Sequence, residues 1–122
     1  MHNIYAKSKS QYIKLLTDIF SYYRFCMSLN SHQRQFLKAQ AHSLKPVVLL
    51  GNDGLSESVL KELDSSIEHH ELIKIRLNAG EGRKEQAETA AKTVNAELVS
   101  LVGRIAVLFR QRKDDSRFIL PR

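Results

Sequence analysis

The sequence is poor in cysteine and has no long uninterrupted apolar run. Its single cysteine, Cys26, excludes an intramolecular disulfide and is typical of a reducing, cytoplasmic compartment. The most apolar N-terminal stretch, residues 15–29, contains Asp18 and Arg24, which make it unsuitable as a transmembrane span or a signal-peptide core. We therefore expect a cytoplasmic protein with no membrane partner.

Motifs that would support catalysis or a cofactor are also missing. The chain has no Gly-x-Ser-x-Gly and no His-x-x-x-His motif, and Gly80-Glu81-Gly82-Arg83 lacks the Lys-Ser/Thr continuation of a Walker loop. His69 and His70 come closest to a ligand cluster, but adjacent helical residues point about 100° apart and rarely chelate one ion. The sequence thus predicts a protein that is not an enzyme, with no catalytic residue, metal site or cofactor.

What the chain does have is positive charge. Lys and Arg total 19 against 13 Asp and Glu, which gives a formal net charge of +6. Its 122 residues, 43% of them apolar, suffice for one domain with one real core. Such a basic domain favours a polyanionic partner, with nucleic acid ahead of an acidic membrane surface, although a generic basic surface has the same composition.

The N-terminal residues differ from the rest, because six of the nine aromatic residues lie within residues 1–30. Apolar side chains from Tyr12 to Tyr23 recur at helical spacing, which predicts a short amphipathic helix that docks on the core, on RNA or on a membrane face, unless it is unstructured. Met27 precedes a cap-like segment and is a candidate translation start. We interpret residues 1–27 as an extension, helical or disordered, and residues 28–122 as the domain.

From Asn30 onward, the pattern predicts the element order α-β-α-β-α-β-β. Asn30 and Gln33 have capping-box spacing at the start of the first helix, and Pro46 is expected to stop that helix. A buried strand over residues 47–50 leads through a turn to a second helix, for which Ser56 is a good N-cap.

The second half of the domain continues this alternation. Residues 72–77 alternate like a strand, and a Gly-rich loop precedes a third helix whose inward residues are small: Ala87, Ala90, Ala91 and Val94. Strands over 98–102 and 105–109 are joined by Gly103-Arg104, which predicts a hairpin with a type II′ turn. The strand–helix–strand units imply parallel pairing, so we expect an α/β fold with a four-stranded mixed sheet and packed helices. A basic, mostly exposed tail is predicted from Arg110, Arg112, Lys113 and Arg117.

The strongest local feature is the loop Gly51-Asn52-Asp53-Gly54, between a buried strand and a capped helix. Two glycines three residues apart let a backbone approach a ligand closely, and the following helix presents free N–H groups to a phosphate. KH domains hold an RNA backbone with such a GxxG loop. The same four residues also form an ordinary turn, and Asp53 is an unfavourable neighbour for a phosphate, so backbone contacts must dominate.

Two longer motifs resemble a known family. The segments Lys45–Leu55 and Glu68–Ile75, and less closely the ending Ile119–Arg122, are similar to the CRM domain (chloroplast RNA splicing and ribosome maturation) in its single-domain bacterial YhbY form. The resemblance covers about residues 28–122. It implies an RNA-binding module associated with precursors of the large ribosomal subunit, and a fold similar to the C-terminal domain of translation initiation factor three. Residues 1–26 have no counterpart in the short bacterial form.

The resemblance also implies that the GxxG loop contacts RNA, and the basic residues around it complete the predicted interface. That interface comprises Gly51, Asn52, Asp53, Gly54, Lys45, Lys74, Arg76, Arg83 and Lys84. We expect a monomer that binds ribosomal RNA or a pre-large-subunit particle during ribosome assembly. The alternative is a protein-interaction module that binds a ribosomal protein or translation factor through the aromatic N-terminal residues.

Overall fold

The fold follows the predicted order of elements. The structure is a computed structural model that describes residues 29–78 and 81–122, so the predicted extension and its helix lie outside the described residues. The helices are α1 (Ser31–Ala41), α2 (Glu57–His70) and α3 (Arg83–Thr93). The strands are β1 (Pro46–Leu49), β2 (Leu72–Arg76), β3 (Glu97–Val102) and β4 (Ile105–Phe109).

The four strands form one mixed sheet in the order β1-β2-β4-β3. β1 and β2 pair in parallel, as the first strand–helix–strand unit predicts, whereas β4 pairs antiparallel with both β2 and β3. The second unit, β2–α3–β3, does not give adjacent parallel strands because β4 lies between them. The predicted four-stranded mixed α/β fold is thus confirmed, with a strand order that the local pattern did not predict.

The β3–β4 hairpin places its turn at the same edge as the carboxyl ends of β1 and β2. Val102 pairs with Ile105, so the turn has the two predicted residues, Gly103 and Arg104. Gly103 has a φ of +59° while Arg104 keeps an ordinary negative φ, which is the combination that a type II′ turn requires.

The ends of α1 show one confirmed and one wrong prediction. Asn30 forms the predicted capping box with Gln33, with the two reciprocal bonds at 2.8 and 3.1 Å. The helix ends at Ala41 and does not continue to Pro46. A tight turn, in which the N–H of Leu44 donates to the carbonyl of Ala41, ends it earlier, and Pro46 instead begins β1.

The face of the sheet covered by α2 and α3 carries the larger apolar core. Strand residues such as Ile75 and Leu108 are completely buried there beneath Leu63 and Ile67 of α2. The predicted small residues of α3 are also buried: Ala87, Ala90, Ala91 and Val94. Because their side chains are short, α3 packs close to the sheet.

The opposite face is covered by α1 over only part of its length. Leu37 and Ala41 of α1 pack with Leu72, Val107 and Phe109 of the sheet. The C-terminal residues close the same cluster: the rings of Phe109 and Phe118 meet edge to face at 5.5 Å, and Leu120 packs nearby. Among the described residues, no helix covers the loop-bearing end of this face.

No helix among residues 29–78 and 81–122 is both long and apolar enough to cross a membrane.

Candidate nucleic-acid interface

The loop Gly51–Gly54 links the end of β1 to the start of α2, and its residues are exposed apart from the half-buried Gly54. The N–H of Gly54 donates to the carbonyl of Gly51 at 3.0 Å, which closes a tight turn. Gly54 has a φ of +61°, a left-handed conformation that glycine adopts without the steric cost of a Cβ. The geometry thus explains why a glycine stands at the end of this turn.

The two glycines have different surroundings. A Cβ at Gly51 would meet no atom within 4 Å, so this residue faces open space. A Cβ at Gly54 would lie 3.3 Å from Nε2 of Gln86 and 3.8 Å from Nδ2 of Asn78. Gly51 therefore offers the side on which a ligand backbone can approach, while Gly54 packs near the end of β2 and the start of α3.

Gln86 connects this loop with the first turn of α3. Its Oε1 accepts a hydrogen bond from the backbone N–H of Asn78 at 3.3 Å, and its Nε2 lies close to Gly54. Gln86 follows Arg83 by three residues, and residues at that spacing share one helix face. The exposed Arg83 therefore lies on the loop side of α3, whereas the exposed Lys84, two residues before Gln86, points roughly 200° away around the helix.

Both α2 and α3 begin at this edge of the sheet, but their first turns differ. In α2, the side chain of Ser56 accepts from the N–H of Val59, and Glu57 adds a negative charge. In α3, the N-cap is Gly82, which has no side chain to accept such a bond, while Glu85 adds a negative charge to its first turn as Glu57 does in α2. Free N–H groups at a helix start attract anions, so the first turn of α3 suits a phosphate better than that of α2.

Two arginines occupy the end of the sheet beside the loop. The carbonyl of Arg76 accepts from the N–H of Leu50, so the exposed Arg76 stands next to the point where the chain enters the loop. Arg104, in the hairpin turn, is tied to the same edge: its Nε donates to the carbonyl of Leu77 at 3.1 Å, and its own carbonyl accepts from the N–H of Leu77.

The sequence-based prediction of the interface did not include Arg104, Asn78 or Gln86. For Arg104 the topology contains the missing information. Because β4 runs antiparallel to β2, the turn between β3 and β4 must lie at the end where β2 terminates. For Asn78 and Gln86, nothing in the local pattern indicates contact with the loop.

Lys45 and Lys74 lie at the other end of β1. Lys45 precedes the strand and lies six residues, or roughly 20 Å of extended chain, from Gly51, whereas Lys74 pairs with Pro46 but is only two residues, or about 7 Å, from Arg76. The Nζ of Lys74 donates to the carbonyl of His42 at the end of α1. The assignment of these two lysines to the loop interface therefore stays a prediction.

At the opposite end of the sheet, the predicted basic exposed tail is wrong for Arg110. Its guanidinium forms ion pairs with Asp64 at 2.8 Å and Glu68 at 2.9 Å, and it also donates to the carbonyl of Val94. Only 16% of its side chain is exposed. Arg110 thus joins the end of α2 to the end of α3, and its charge is balanced by two carboxylates.

Arg112 is likewise engaged, through the buried carboxylate of Glu71. Glu71 accepts hydrogen bonds from the N–H groups of Arg112 and Arg117 and from Ser116 Oγ, at 2.7 to 2.9 Å. Burial alone raises the pKa of Glu71, but the bond from Ser116, the two backbone bonds and the charge of Arg112 outweigh it, so the pKa is lowered overall. This carboxylate holds the C-terminal residues onto the sheet.

An open cleft of about 480 Å³ lies beside these residues, lined by Arg110, Arg112 and Asn95 among others. Because carboxylates pair with both arginines, it is a poorer site for a polyanion than the loop edge. Within the part of the chain that the structure describes, no cluster of three or more His, Cys, Asp or Glu side chains could hold a metal ion. The exposed His69 and His70 form the polar end of α2, with their rings 5.3 Å apart.

Comparison with known proteins identifies the family to which this fold belongs. The family model for the CRS1/YhbY (CRM) domain matches residues 29–110, which include every residue of the loop edge described above. The chain belongs to this CRM domain family. The resemblance found in the two sequence motifs is thereby confirmed.

Relatives of this CRM domain occur in several bacteria. A Haemophilus influenzae protein named "RNA-binding protein" is 38% identical over 97 residues, covering 78% of this chain and 97% of that protein. A Bacillus subtilis protein named "Probable RNA-binding protein YqeI" is 30% identical over 95 residues, covering 76% and 99% respectively. The solution structure of a Staphylococcus aureus protein superimposes with a TM-score of 0.68 at 33% identity, covering 76% of this chain and 99% of that one.

Proposed function

We propose that this CRM domain binds RNA through its loop edge and acts on ribosomal RNA of large-subunit precursors during ribosome assembly. One observation carries the proposal. The GxxG loop stands between Arg83, at the start of α3, and the sheet end, with Arg76 and Arg104. The names of the relatives, which refer to RNA binding, support the same class of partner.

The chemistry at this edge suits a sugar–phosphate backbone. Gly51 leaves open space for close approach, and the first turn of α3 offers free N–H groups on the side of Arg83. The cations of the edge have no carboxylate partner within 4.0 Å among the described residues, unlike Arg110 and Arg112 at the other end. Asp53 is exposed in the loop and repels phosphate, so backbone N–H groups and the flanking cations must supply the attraction.

A salt titration tests RNA binding directly. Each phosphate contact with single-stranded RNA contributes about −0.7 to the slope of log affinity against log salt. Three or four contacts at the loop edge predict a slope of about −2 to −3 in a filter-binding experiment. A slope near zero would mean that the protein does not bind the phosphates of the RNA backbone.

The ribosomal part of the proposal needs a test in cells. Ultraviolet crosslinking of the tagged protein, followed by sequencing of the attached RNA, is expected to recover large-subunit ribosomal RNA and its precursors above other abundant RNAs. If the crosslinked reads followed cellular RNA abundance, or came mainly from messenger or transfer RNA, the role in large-subunit assembly would be rejected while RNA binding stood.

A further inference from the structure

One residue from each strand lines up across the uncovered end of the sheet. The register places Leu49 beside Arg76, Arg76 beside Ile105, and Ile105 beside Val102. We call these four residues the open row. Because the residues adjacent to them in each strand point into the core beneath α2 and α3, the open row faces the side of the sheet on which α1 lies.

Two apolar side chains of the open row are unusually exposed. Leu49 is 64% exposed and Val102 is 74% exposed, while Ile105 is half-buried. The covering helix stops short of them, since Lys74, in the adjacent row, already reaches the C-terminal carbonyl of α1 at His42. Single exposed apolar residues are common on protein surfaces, but Leu49 and Val102 flank Arg76 and Ile105 in one row beside the loop, and no described element covers them, so the row is a candidate interaction surface.

The composition of the open row favours a nucleobase. Arg76 stands near its middle, exposed and flanked by Leu49 and Ile105, and it forms no ion pair with a described carboxylate. A guanidinium is planar and weakly hydrated, so it stacks on the face of an unpaired base. Aliphatic side chains such as those of Leu49 and Ile105 can pack against the same base.

The location of the open row points to the same ligand. Leu49 precedes Gly51 by two residues, or about 7 Å of extended chain, so a base on the row and a phosphate at the loop lie within reach of one short RNA segment. A second copy of this chain fits less well. A two-fold contact through the row would bring Arg76 close to its own counterpart, and like charges repel in a desolvated interface.

We propose that the open row is a subsite for an unpaired RNA base next to the phosphate held at the GxxG loop. The proposal rests on the RNA-binding function proposed above and adds a specificity: unpaired RNA binds more tightly than the same sequence in a duplex. A base inside an A-form helix is stacked on its neighbours and cannot lie on the row.

The test compares Arg76→Lys, which keeps the charge but removes the planar group, with Leu49→Ser, which removes the apolar neighbour. Ile119→Ser is the matched control, because Ile119 is 89% exposed and lies in the C-terminal residues outside the row. Affinity is measured by filter binding for a short unpaired oligonucleotide and for the same sequence annealed to its complement, each over a salt series.

Both row variants are expected to weaken binding of the unpaired RNA by about fivefold to tenfold, the lower part of the range for loss of base stacking. The salt slope of Arg76→Lys should stay unchanged, because the positive charge remains. The affinity of both row variants for the duplex should change little, and Ile119→Ser should behave like the wild type. Because the mutated side chains are exposed, we expect the thermal midpoints of the variants to stay unchanged, and that result would confirm that the variants are folded.

Three results would overturn the proposal in distinguishable ways. A wild-type salt slope near zero would reject RNA binding itself and the base subsite with it. Steep salt dependence, together with row variants that match Ile119→Ser, would leave RNA binding standing and reject the subsite alone. A row variant that changed self-association, or binding to a protein partner, at unchanged RNA affinity would assign the open row to a protein contact.

Discussion

At the scale of single residues, the burial and the hydrogen-bond partners of Glu71 could not be predicted from its neighbours in the sequence. It directly follows α2 and the exposed His69 and His70, yet its side chain is completely buried and its φ is +66°. The unusual backbone conformation turns the carboxylate inward, where Ser116 and the N–H groups of Arg112 and Arg117 surround it. Its partners lie 41 to 46 residues away, so no periodic pattern could have predicted them.

Replacing Glu71 with Gln is expected to lower the free energy of unfolding near neutral pH by about 3 kcal/mol, because the buried donors lose a charged acceptor. The pKa of folded Glu71 lies below its ordinary value of 4.5. The wild-type advantage is therefore complete above that value and is lost as the pH falls through the folded pKa. Urea denaturation of both proteins at several pH values measures this. A stability difference that stayed constant with pH would show that Gln fails for reasons of packing alone.

At the scale of elements, the features of the fold that depend on neighbouring residues could be predicted from the sequence. The capping box of Asn30, the N-cap Ser56 and the hairpin turn at Gly103 depend on residues a few positions apart, and all three are confirmed. The strand order and the ion pairs of Arg110 could not be predicted, because β2 and β4 pair residues 29 to 37 positions apart and Arg110 pairs with residues 42 and 46 positions away. Propensity and spacing carry no information about such long-range partners.

The candidate site divides in the same way. The GxxG loop was predicted from its spacing, and Arg83 and Arg76 lie beside it, whereas Lys84 points to another side of α3. Lys45 was also predicted, but the length of β1 separates it from the loop, and Lys74 lies two residues before Arg76, where it donates to the carbonyl of His42.

The loop itself gives a prediction that separates stability from binding. Gly54→Ala is expected to lower the free energy of unfolding by about 1 kcal/mol, because its left-handed backbone disfavours a Cβ and Gln86 must shift. Gly51→Ala should leave stability within about 0.5 kcal/mol, since its Cβ meets open space, yet weaken RNA binding by obstructing close approach. Denaturant titration and filter binding measure the two effects. If Gly51→Ala bound RNA as tightly as the wild type, the backbone at Gly51 would not be a contact.

At the scale of the whole molecule, the match to the CRM family begins at residue 29, and the described residues form an apolar cluster on each face of the sheet. We therefore propose that residues 1–27 are an extension to a CRM domain that folds without them. A variant that begins at Met27 is expected to keep the thermal midpoint of the full chain within about 2 °C. A fall of more than about 5 °C in calorimetry would mean that the N-terminal aromatic residues belong to the core.

The central claim is that the loop edge is where RNA phosphates bind, and one comparison tests it most directly. Asn52→Lys with Asp53→Lys keeps both glycines and makes the loop more positive by three charges. Glu62→Lys with Ser65→Lys adds the same charge at exposed positions of α2, away from the edge.

RNA affinity is measured over a salt series for both double variants and the wild type. We expect the loop variant to bind RNA several-fold more tightly than the wild type. Its salt slope should steepen by about 1.4, which corresponds to two further phosphate contacts. The α2 variant should show a clearly smaller change in both quantities. Equal changes in the two variants would contradict the claim, because the loop would then be only one part of a uniformly basic surface.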